Sequence, residues 1–129
     1  GGYRVQGRTA EQAKRLIEDA KLLEEAGAFA IVLELVPREV AQMITDELSI
    51  STIGIGAGLG CDIQVLVLHV LVGMTFGRQP RFVRQYANVR DVMTDAIQNW
   101  ARDVRSGAYP ADAESYGLTE ETLSELRKS

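Results

Sequence analysis

The sequence is poor in the features of secreted and membrane proteins. It has a single cysteine, Cys61, which excludes an internal disulfide framework and fits a reducing compartment, so we expect a cytoplasmic protein. No apolar run reaches the roughly 18 residues of a membrane-spanning helix. The 14 basic residues are scattered and are outnumbered by 18 acidic ones. This balance argues against binding to nucleic acids or to an anionic membrane surface.

The beginning of the chain also lacks familiar features. There is no initiator Met, and no basic segment followed by an apolar one that would indicate a signal peptide. We therefore expect a fragment, a processed chain or one made for expression. The 129 residues are enough for one domain with a substantial core. We predict a single domain over 1–129, with strand–helix units over 1–76 and a helical extension over 77–129.

The spacing of apolar residues gives the order of the elements. Thr9 and Gln12 resemble a capping box before the first helix, and Gly27 is a stop signal after it. The patterns predict helices over about 10–26 and 37–48, and strands over 29–36, 51–58 and 64–70. Strands that alternate with helices at these lengths indicate a parallel sheet with crossover helices, an α/β fold.

The last third of the chain follows a different pattern. A polar, irregular stretch over 77–89 precedes an apolar stripe at helical spacing between Val92 and Val104, and Thr119 is placed to cap a short final helix. Three parallel strands leave two sheet edges bare, and a parallel sheet needs cover on both faces. The chain is therefore expected to form part of a larger sheet or barrel.

The alternation of side chains along each strand predicts which residues share a face. In the first strand, Glu34 shares a face with Val32 and lies near the carboxyl end. The smaller residues of the second strand, Gly54 and Gly56, and His69 of the third are assigned to the same face. Ligands of α/β sheets and barrels bind beyond the carboxyl ends of the strands, so these residues form the predicted pocket.

Each candidate residue also has a structural interpretation. Glu34 is either a general base, because buried carboxyl groups have raised pKa values, or a structural carboxylate paired with Arg or backbone N–H groups. The glycine-rich run over 54–60 fails the dinucleotide-binding spacing, and it either lines an anion or packs closely. His69 either contacts substrate or is structural, and no spacing indicates a metal site. We interpret the remaining candidates as structural or surface residues: Cys61, Arg78, Arg81, Arg84, Tyr86 and Trp100.

Five segments in register resemble one enzyme family. They are GGYRVQGRT, LEEAGAFAIVLELVP, SISTIGIGAGLGCDIQVLVLH, RFVRQYANV and SGAYPADAESYG. In this order they resemble the C-terminal half of the ketopantoate hydroxymethyltransferases, and the likeness extends to about residue 117. The sequence departs from the family pattern at Val70, where Asp is usual, and at Leu35, where Cys is common.

The resemblance implies the C-terminal half of a (βα)8 barrel with additional C-terminal helices. It implies transfer of a hydroxymethyl group from 5,10-methylenetetrahydrofolate to α-ketoisovalerate, which gives ketopantoate for pantothenate and coenzyme A synthesis. It further implies that Glu34 is the base that removes the C3 proton of the keto acid. Mg²⁺ is implied as well, with its ligands in the N-terminal half and none in this chain, and so are homo-oligomers, commonly decamers.

Two other functions compete with this one. The first is a non-catalytic half-barrel that associates with copies of itself through its open sheet edges, whereas the enzyme would need the missing half-barrel as its partner. The second is a flavodoxin-like module that binds a phosphate through the glycine-rich run over 54–60.

Overall fold

A computed structural model describes residues 4–128, which divide into two compact units. The first unit ends at Asn88 and the second begins at Val89. The first contains α1 (Ala10–Glu25), β1 (Ala30–Glu34), α2 (Arg38–Glu47), β2 (Ser51–Ile55), β3 (Ile63–Gln64) and α3 (Leu68–Leu71). The second contains α4 (Val89–Ser106), a 3₁₀ helix (Asp112–Glu114) and α5 (Glu120–Leu126).

Local capping determines where α1 begins and ends. The Thr9 hydroxyl accepts a hydrogen bond from the Gln12 N–H at 3.2 Å, and the Gln12 side chain accepts one from the Arg8 N–H. Gly27 follows the last turn with a φ of +96°, a conformation that glycine adopts without steric cost. The predicted helix over 10–26 is therefore confirmed to within a residue.

The three strands form one parallel sheet in the order β1-β2-β3. Helix α2 connects β1 to β2, as a parallel pair requires. Nine buried side chains form the core between one sheet face and helices α1 and α2: Ala20, Ile31, Leu33, Val36, Val40, Ala41, Ile44, Ala57 and Cys61. The prediction of an α/β fold with three parallel strands is confirmed.

The third strand is much shorter than the predicted strand over 64–70. The ladder ends where the Val65 N–H donates to the Gly54 carbonyl, and the chain then turns into α3 through a hydrogen bond from the Leu71 N–H to the Val67 carbonyl. An apolar run of seven residues does not by itself distinguish a buried strand from a helix. His69 consequently lies in α3 and not at a strand end.

The two faces of β2 are the reverse of the sequence prediction. The register pairs Leu33 with Gly54 and Glu34 with Ile55, and laterally paired residues of parallel strands point to the same face. Gly54 therefore lies on the helix-covered face with Leu33, where a Cβ atom would come within 2.9 Å of Cys61 Sγ. Glycine is needed there for close packing, and it does not leave space beside Glu34.

The opposite face of the sheet is apolar and uncovered within the first unit. Val32, Ile53 and Ile63 form a row across the three strands, and Val32 is 61% exposed and Ile63 48% exposed. Within residues 4–128, no further strand pairs with the outer edges of β1 and β3. The expectation of a partial sheet therefore agrees with the arrangement of the described residues.

In the second unit, α4 confirms the helix predicted from the apolar stripe. It begins two residues before Asp91, the predicted first residue, and it includes the whole stripe from Val92 to Val104. The Thr119 hydroxyl accepts a hydrogen bond from the Thr122 N–H at 3.3 Å, which confirms the predicted cap of the final helix.

Candidate active site

Glu34 is the last residue of β1, at the carboxyl end of the sheet. Its side chain projects to the uncovered face, because Ile31 and Leu33 occupy the alternate positions and are buried against the helices. The predicted face of Glu34 is therefore confirmed, although the neighbours on that face are Ile53 and Ile55 and not the glycines.

The carboxylate of Glu34 has no partner in the part of the chain that the structure describes. No hydrogen bond or ion pair joins it to another residue between 4 and 128. A structural carboxylate would be expected to accept N–H bonds or to face a guanidinium group. Glu34 is exposed in this chain, however, so water can solvate its carboxylate without a protein partner. Both interpretations of Glu34 therefore stay predictions.

Leu35, directly after Glu34, has a left-handed backbone with a φ of +53°. This conformation costs a β-carbon residue on the order of 1–3 kcal/mol. Hydrogen bonds hold it on both sides, since the Leu35 N–H donates to the Ile55 carbonyl and the Leu35 carbonyl accepts from the Gln6 N–H. Strained residues concentrate at functional sites, and this one ends the strand next to the candidate base.

The glycine-rich loop packs against α2. A Cβ atom on Gly58 would overlap the side chain of Arg38, and one on Gly60 would lie 2.6 Å from the Gln42 amide oxygen. Arg38 and Gln42 are one helical turn apart, so alternate glycines contact one face of the helix. This geometry supports the close-packing interpretation of the run over 54–60.

A buried polar network fastens the far end of the same loop to β2. Thr52 is fully buried, its N–H donates to Asp62 Oδ2 at 2.8 Å, and the Asp62 N–H donates to the Thr52 hydroxyl at 3.2 Å. The Thr45 hydroxyl lies 2.8 Å from that of Thr52. The sequence analysis missed this network, although a hydroxyl residue in an apolar strand should prompt a search for its partner.

An open cleft of about 1450 Å³ lies at the carboxyl ends of β1 and β2. Leu35 and Gly56, which follow these strands, line it together with the segment over 78–82. The missing side chain of Gly56 lets the Phe82 ring approach the strand end, since a Cβ atom there would lie 2.9 Å from the ring. Glu34 is adjacent to the cleft in the chain, but it borders a smaller cavity of about 300 Å³ beside α1.

The predicted pocket residues are thus only partly brought together. Gly56 lines the cleft next to the strand that carries Glu34, whereas Gly54 faces the helices and His69 is an exposed residue of α3 outside the lining of the cleft. The His69 ring makes no hydrogen bond with the described residues. Substrate contacts by Gly54, Gly56 and His69 stay predictions.

Residues 4–128 contain neither a metal-ligand cluster nor a membrane-spanning helix. No three His, Cys, Asp or Glu side chains of this range come together in a group that could hold a metal ion. None of the helices in the same range combines the length and the apolar character needed to cross a membrane.

The fold and the site define the class of α/β proteins whose ligands bind beyond the carboxyl ends of parallel strands. Within this class, the family model described as ketopantoate hydroxymethyltransferase matches residues 1–112. The chain belongs to this family.

Curated relatives agree with the family match. The chain is 52% identical over 126 residues to the 3-methyl-2-oxobutanoate hydroxymethyltransferase of Clostridioides difficile (strain 630), covering 98% of this chain and 46% of the relative. It is 53% identical to the protein of the same name from Clostridium botulinum (strain Alaska E43 / Type E3), with the same coverage. For 3-methyl-2-oxobutanoate hydroxymethyltransferase 2 of Bradyrhizobium diazoefficiens, the identity is 50% over 121 residues, 94% of this chain and 41% of the relative. The chain thus spans about half the length of the curated relatives it matches.

Proposed function

We propose that this chain is the base-bearing half of an enzyme that transfers a hydroxymethyl group from 5,10-methylenetetrahydrofolate to α-ketoisovalerate. The observation that supports the proposal is the position of Glu34, in a member of this family, at a carboxyl strand end on the uncovered face and without a protein partner among the described residues. The product would be ketopantoate, a precursor of pantothenate and coenzyme A.

The reaction begins with a proton transfer to Glu34. Its carboxylate takes the C3 proton of the keto acid, and the electron pair of the C–H bond forms the enolate. C3 of the enolate then forms a bond to the methylene carbon of the folate as one of the two C–N bonds of the methylene bridge breaks. Water replaces the second C–N bond and supplies the hydroxyl oxygen, and the two folate nitrogens take up the proton held by Glu34 and one proton from water as tetrahydrofolate leaves. The apolar neighbours of Glu34, Ile53 and Ile55, would help to exclude bulk water from the enolate once the rest of the enzyme covers this face.

The second part of the proposal concerns the fold of the whole enzyme. The uncovered apolar row that includes Val32 and Ile63 is suited to the interior of a (βα)8 barrel whose remaining strands come from the part of the relatives that this chain does not span. Mg²⁺ as cofactor belongs to the same proposal. Because residues 4–128 bring no group of three metal-ligating side chains together, the ligands of Mg²⁺ would lie in the part of the enzyme that this chain does not span.

The experiment uses a full-length hybrid, in which this sequence follows the N-terminal part of the Clostridioides difficile relative. Proton exchange at C3 of α-ketoisovalerate is followed by NMR in D₂O with Mg²⁺ and without the folate. Loss of the base should slow exchange in Glu34→Gln by about 10²- to 10⁴-fold. Glu18→Gln, at an exposed position of α1, should exchange at the rate of the unaltered hybrid.

Circular dichroism establishes that both variants retain the fold of the hybrid. Unchanged exchange in a folded Glu34→Gln variant would show that Glu34 is not the base. The hybrid itself must also produce ketopantoate when the folate is added, and failure to do so while the C. difficile relative is active would argue against the proposed activity.

The uncovered face supports a second candidate function, association of the chain with copies of itself. Three strands with two unpaired outer edges and an exposed apolar row can bind a second sheet. Sedimentation of the 129-residue chain alone tests this candidate, and a monomer at all concentrations would rule it out.

A further inference from the structure

The cleft at the carboxyl ends of β1 and β2 is basic. Three arginines line it, Arg38, Arg78 and Arg81, and no Asp or Glu does. We propose that this basic cleft binds the glutamate tail of the folate co-substrate, and in particular a tail of several γ-linked glutamates. The inference rests on the proposed function, because it identifies where one of the two substrates of that reaction binds.

The arginines of the cleft have guanidinium groups available for a ligand. Arg78 and Arg81 are exposed and form no ion pair with any carboxylate between residues 4 and 128. Arg38 uses its Nε to pair with Glu39 at 2.7 Å, and its two terminal nitrogens form no hydrogen bond with the described residues. Guanidinium groups bind carboxylates through two parallel hydrogen bonds, so the cleft offers sites for more than one carboxylate.

Gln79, which also lines the cleft, has a hydrogen-bond acceptor without a donor. The Gln79 side chain donates to Gln85 Oε1 at 3.0 Å, but its own Oε1 is buried and has no hydrogen-bond donor among the described residues. A buried acceptor of this kind needs an N–H or O–H group. Each γ-linked glutamate carries both an amide N–H and a carboxylate, so a tail that passes Arg78 and Arg81 would supply the missing donor once the Gln79 side chain turns toward the cleft.

The cleft is also large and partly apolar. The cleft is open and has a volume of about 1450 Å³, so it has room for a ligand much longer than a five-carbon keto acid. Phe82, Pro80 and Leu35 are part of the apolar lining, and a phenylalanine ring can stack on a planar aromatic group. An aromatic body followed by amides and carboxylates is the chemistry of a folate, whereas α-ketoisovalerate has neither the ring nor an N–H.

The test compares folates with one and with three glutamates in the full-length hybrid. Removal of one guanidinium, in Arg78→Gln or Arg81→Gln, should raise KM for the triglutamate form about five- to tenfold, the effect of losing one exposed charge-assisted contact. The KM for the monoglutamate form should rise less, and kcat and the KM for α-ketoisovalerate should not change. Arg84→Gln is the matched control, because Arg84 is exposed on the same segment but does not line the cleft.

The outcomes separate this inference from the proposed function. An active hybrid whose KM for the triglutamate folate is the same in all three variants would overturn the inference and leave the function intact. A rise in the KM for α-ketoisovalerate instead would assign the cleft to the keto acid and would also overturn it. If the hybrid is inactive, calorimetric binding of the triglutamate folate to the same protein decides: binding weakened by Arg78→Gln but not by Arg84→Gln supports the inference, and no binding refutes it.

Discussion

At the scale of single residues, Gly58 shows how a missing side chain lets the glycine-rich loop pack closely against α2. Its φ is +81°, and a Cβ atom would overlap Arg38. Gly58→Ala should therefore lower the free energy of unfolding by about 2–4 kcal/mol, from backbone strain plus displacement of the loop from α2. Urea denaturation followed by circular dichroism measures this loss.

Gly27 provides the matched control for this prediction. Its φ is +96°, yet nothing lies within 4 Å of a Cβ atom built on it. Gly27→Ala should cost only the backbone term, about 1–2 kcal/mol. Equal losses in the two variants would mean that the contact with Arg38 contributes nothing to stability.

Single residues also show what the sequence could and could not predict. The face and strand-end position of Glu34 followed from alternation along an apolar run, because Ile31 and Leu33 had to be buried. The left-handed backbone of Leu35 could not be foreseen, since leucine rarely adopts it and hydrogen bonds with distant residues hold it there. The predicted face of Gly54 was wrong, because that face follows from its pairing with Leu33 of β1 and the sequence around Gly54 does not reveal this pairing.

At the scale of elements, the Glu24 carboxylate joins the last turn of α1 to the start of β2. It accepts hydrogen bonds from the Ser49 hydroxyl, the Ser49 N–H and the Ile50 N–H at 2.5, 2.8 and 3.1 Å. The hydrogen bond from the Ser49 hydroxyl, followed by that from the Ser49 N–H, lowers the pKa of Glu24 below its ordinary value of 4.5. The linkage between helix and strand therefore depends on the ionised form.

This linkage gives a pH prediction with a definite sign. Because the pKa of Glu24 is lower in the folded than in the unfolded state, its contribution to stability is complete above pH 4.5 and is lost as the pH falls through the folded value. The unaltered chain should be more stable than Glu24→Gln at pH 6, and this difference should shrink as the pH falls below about 4.5. Urea midpoints measured across this range test the prediction.

Glu25→Gln controls for a general effect of removing a charge from α1. The Glu25 side chain makes no hydrogen bond or ion pair with the described residues, so Glu25→Gln removes a charge from the same turn without removing contacts with Ser49 or Ile50. A difference that shrinks equally in both variants would show that the contacts with Ser49 and Ile50 are not responsible.

Elements with local start and stop signals were the predictable ones. Thr9 caps the start of α1, Gly27 follows its end, and Thr119 caps the start of α5. These limits were predictable because capping residues act within a few residues of the helix end. The predicted strand over 64–70 had no such signal. Its valines and leucines fit a strand and a helix equally, and only the hydrogen bonds around Val67 decide between them.

At the scale of the whole molecule, the exposed sheet face that carries Glu34 raises the question whether a larger barrel covers it. Sequence reasoning reached a partial sheet by counting strands and edges, and the exposed Val32 and Ile63 agree with it. If the rest of a barrel covers this face in a full-length protein, a substitution on the face must lower the free energy of unfolding more in that protein than in the 129-residue chain. Val32→Ala should change the stability of the 129-residue chain by less than about 0.5 kcal/mol, because the side chain is 61% exposed.

In the full-length hybrid, Val32→Ala should instead cost about 1–2.5 kcal/mol, because the side chain would be buried in the barrel interior and its removal would leave a cavity. Leu33→Ala is the control on the other face. Leu33 is 7% exposed in this chain, so its truncation should cost about 2–5 kcal/mol in both proteins. Urea denaturation of the four variants gives the comparison. A small cost for Val32→Ala in both proteins, beside a large one for Leu33→Ala, would mean that the Glu34 face stays open in the full-length protein, which contradicts a closed barrel with Glu34 inside it.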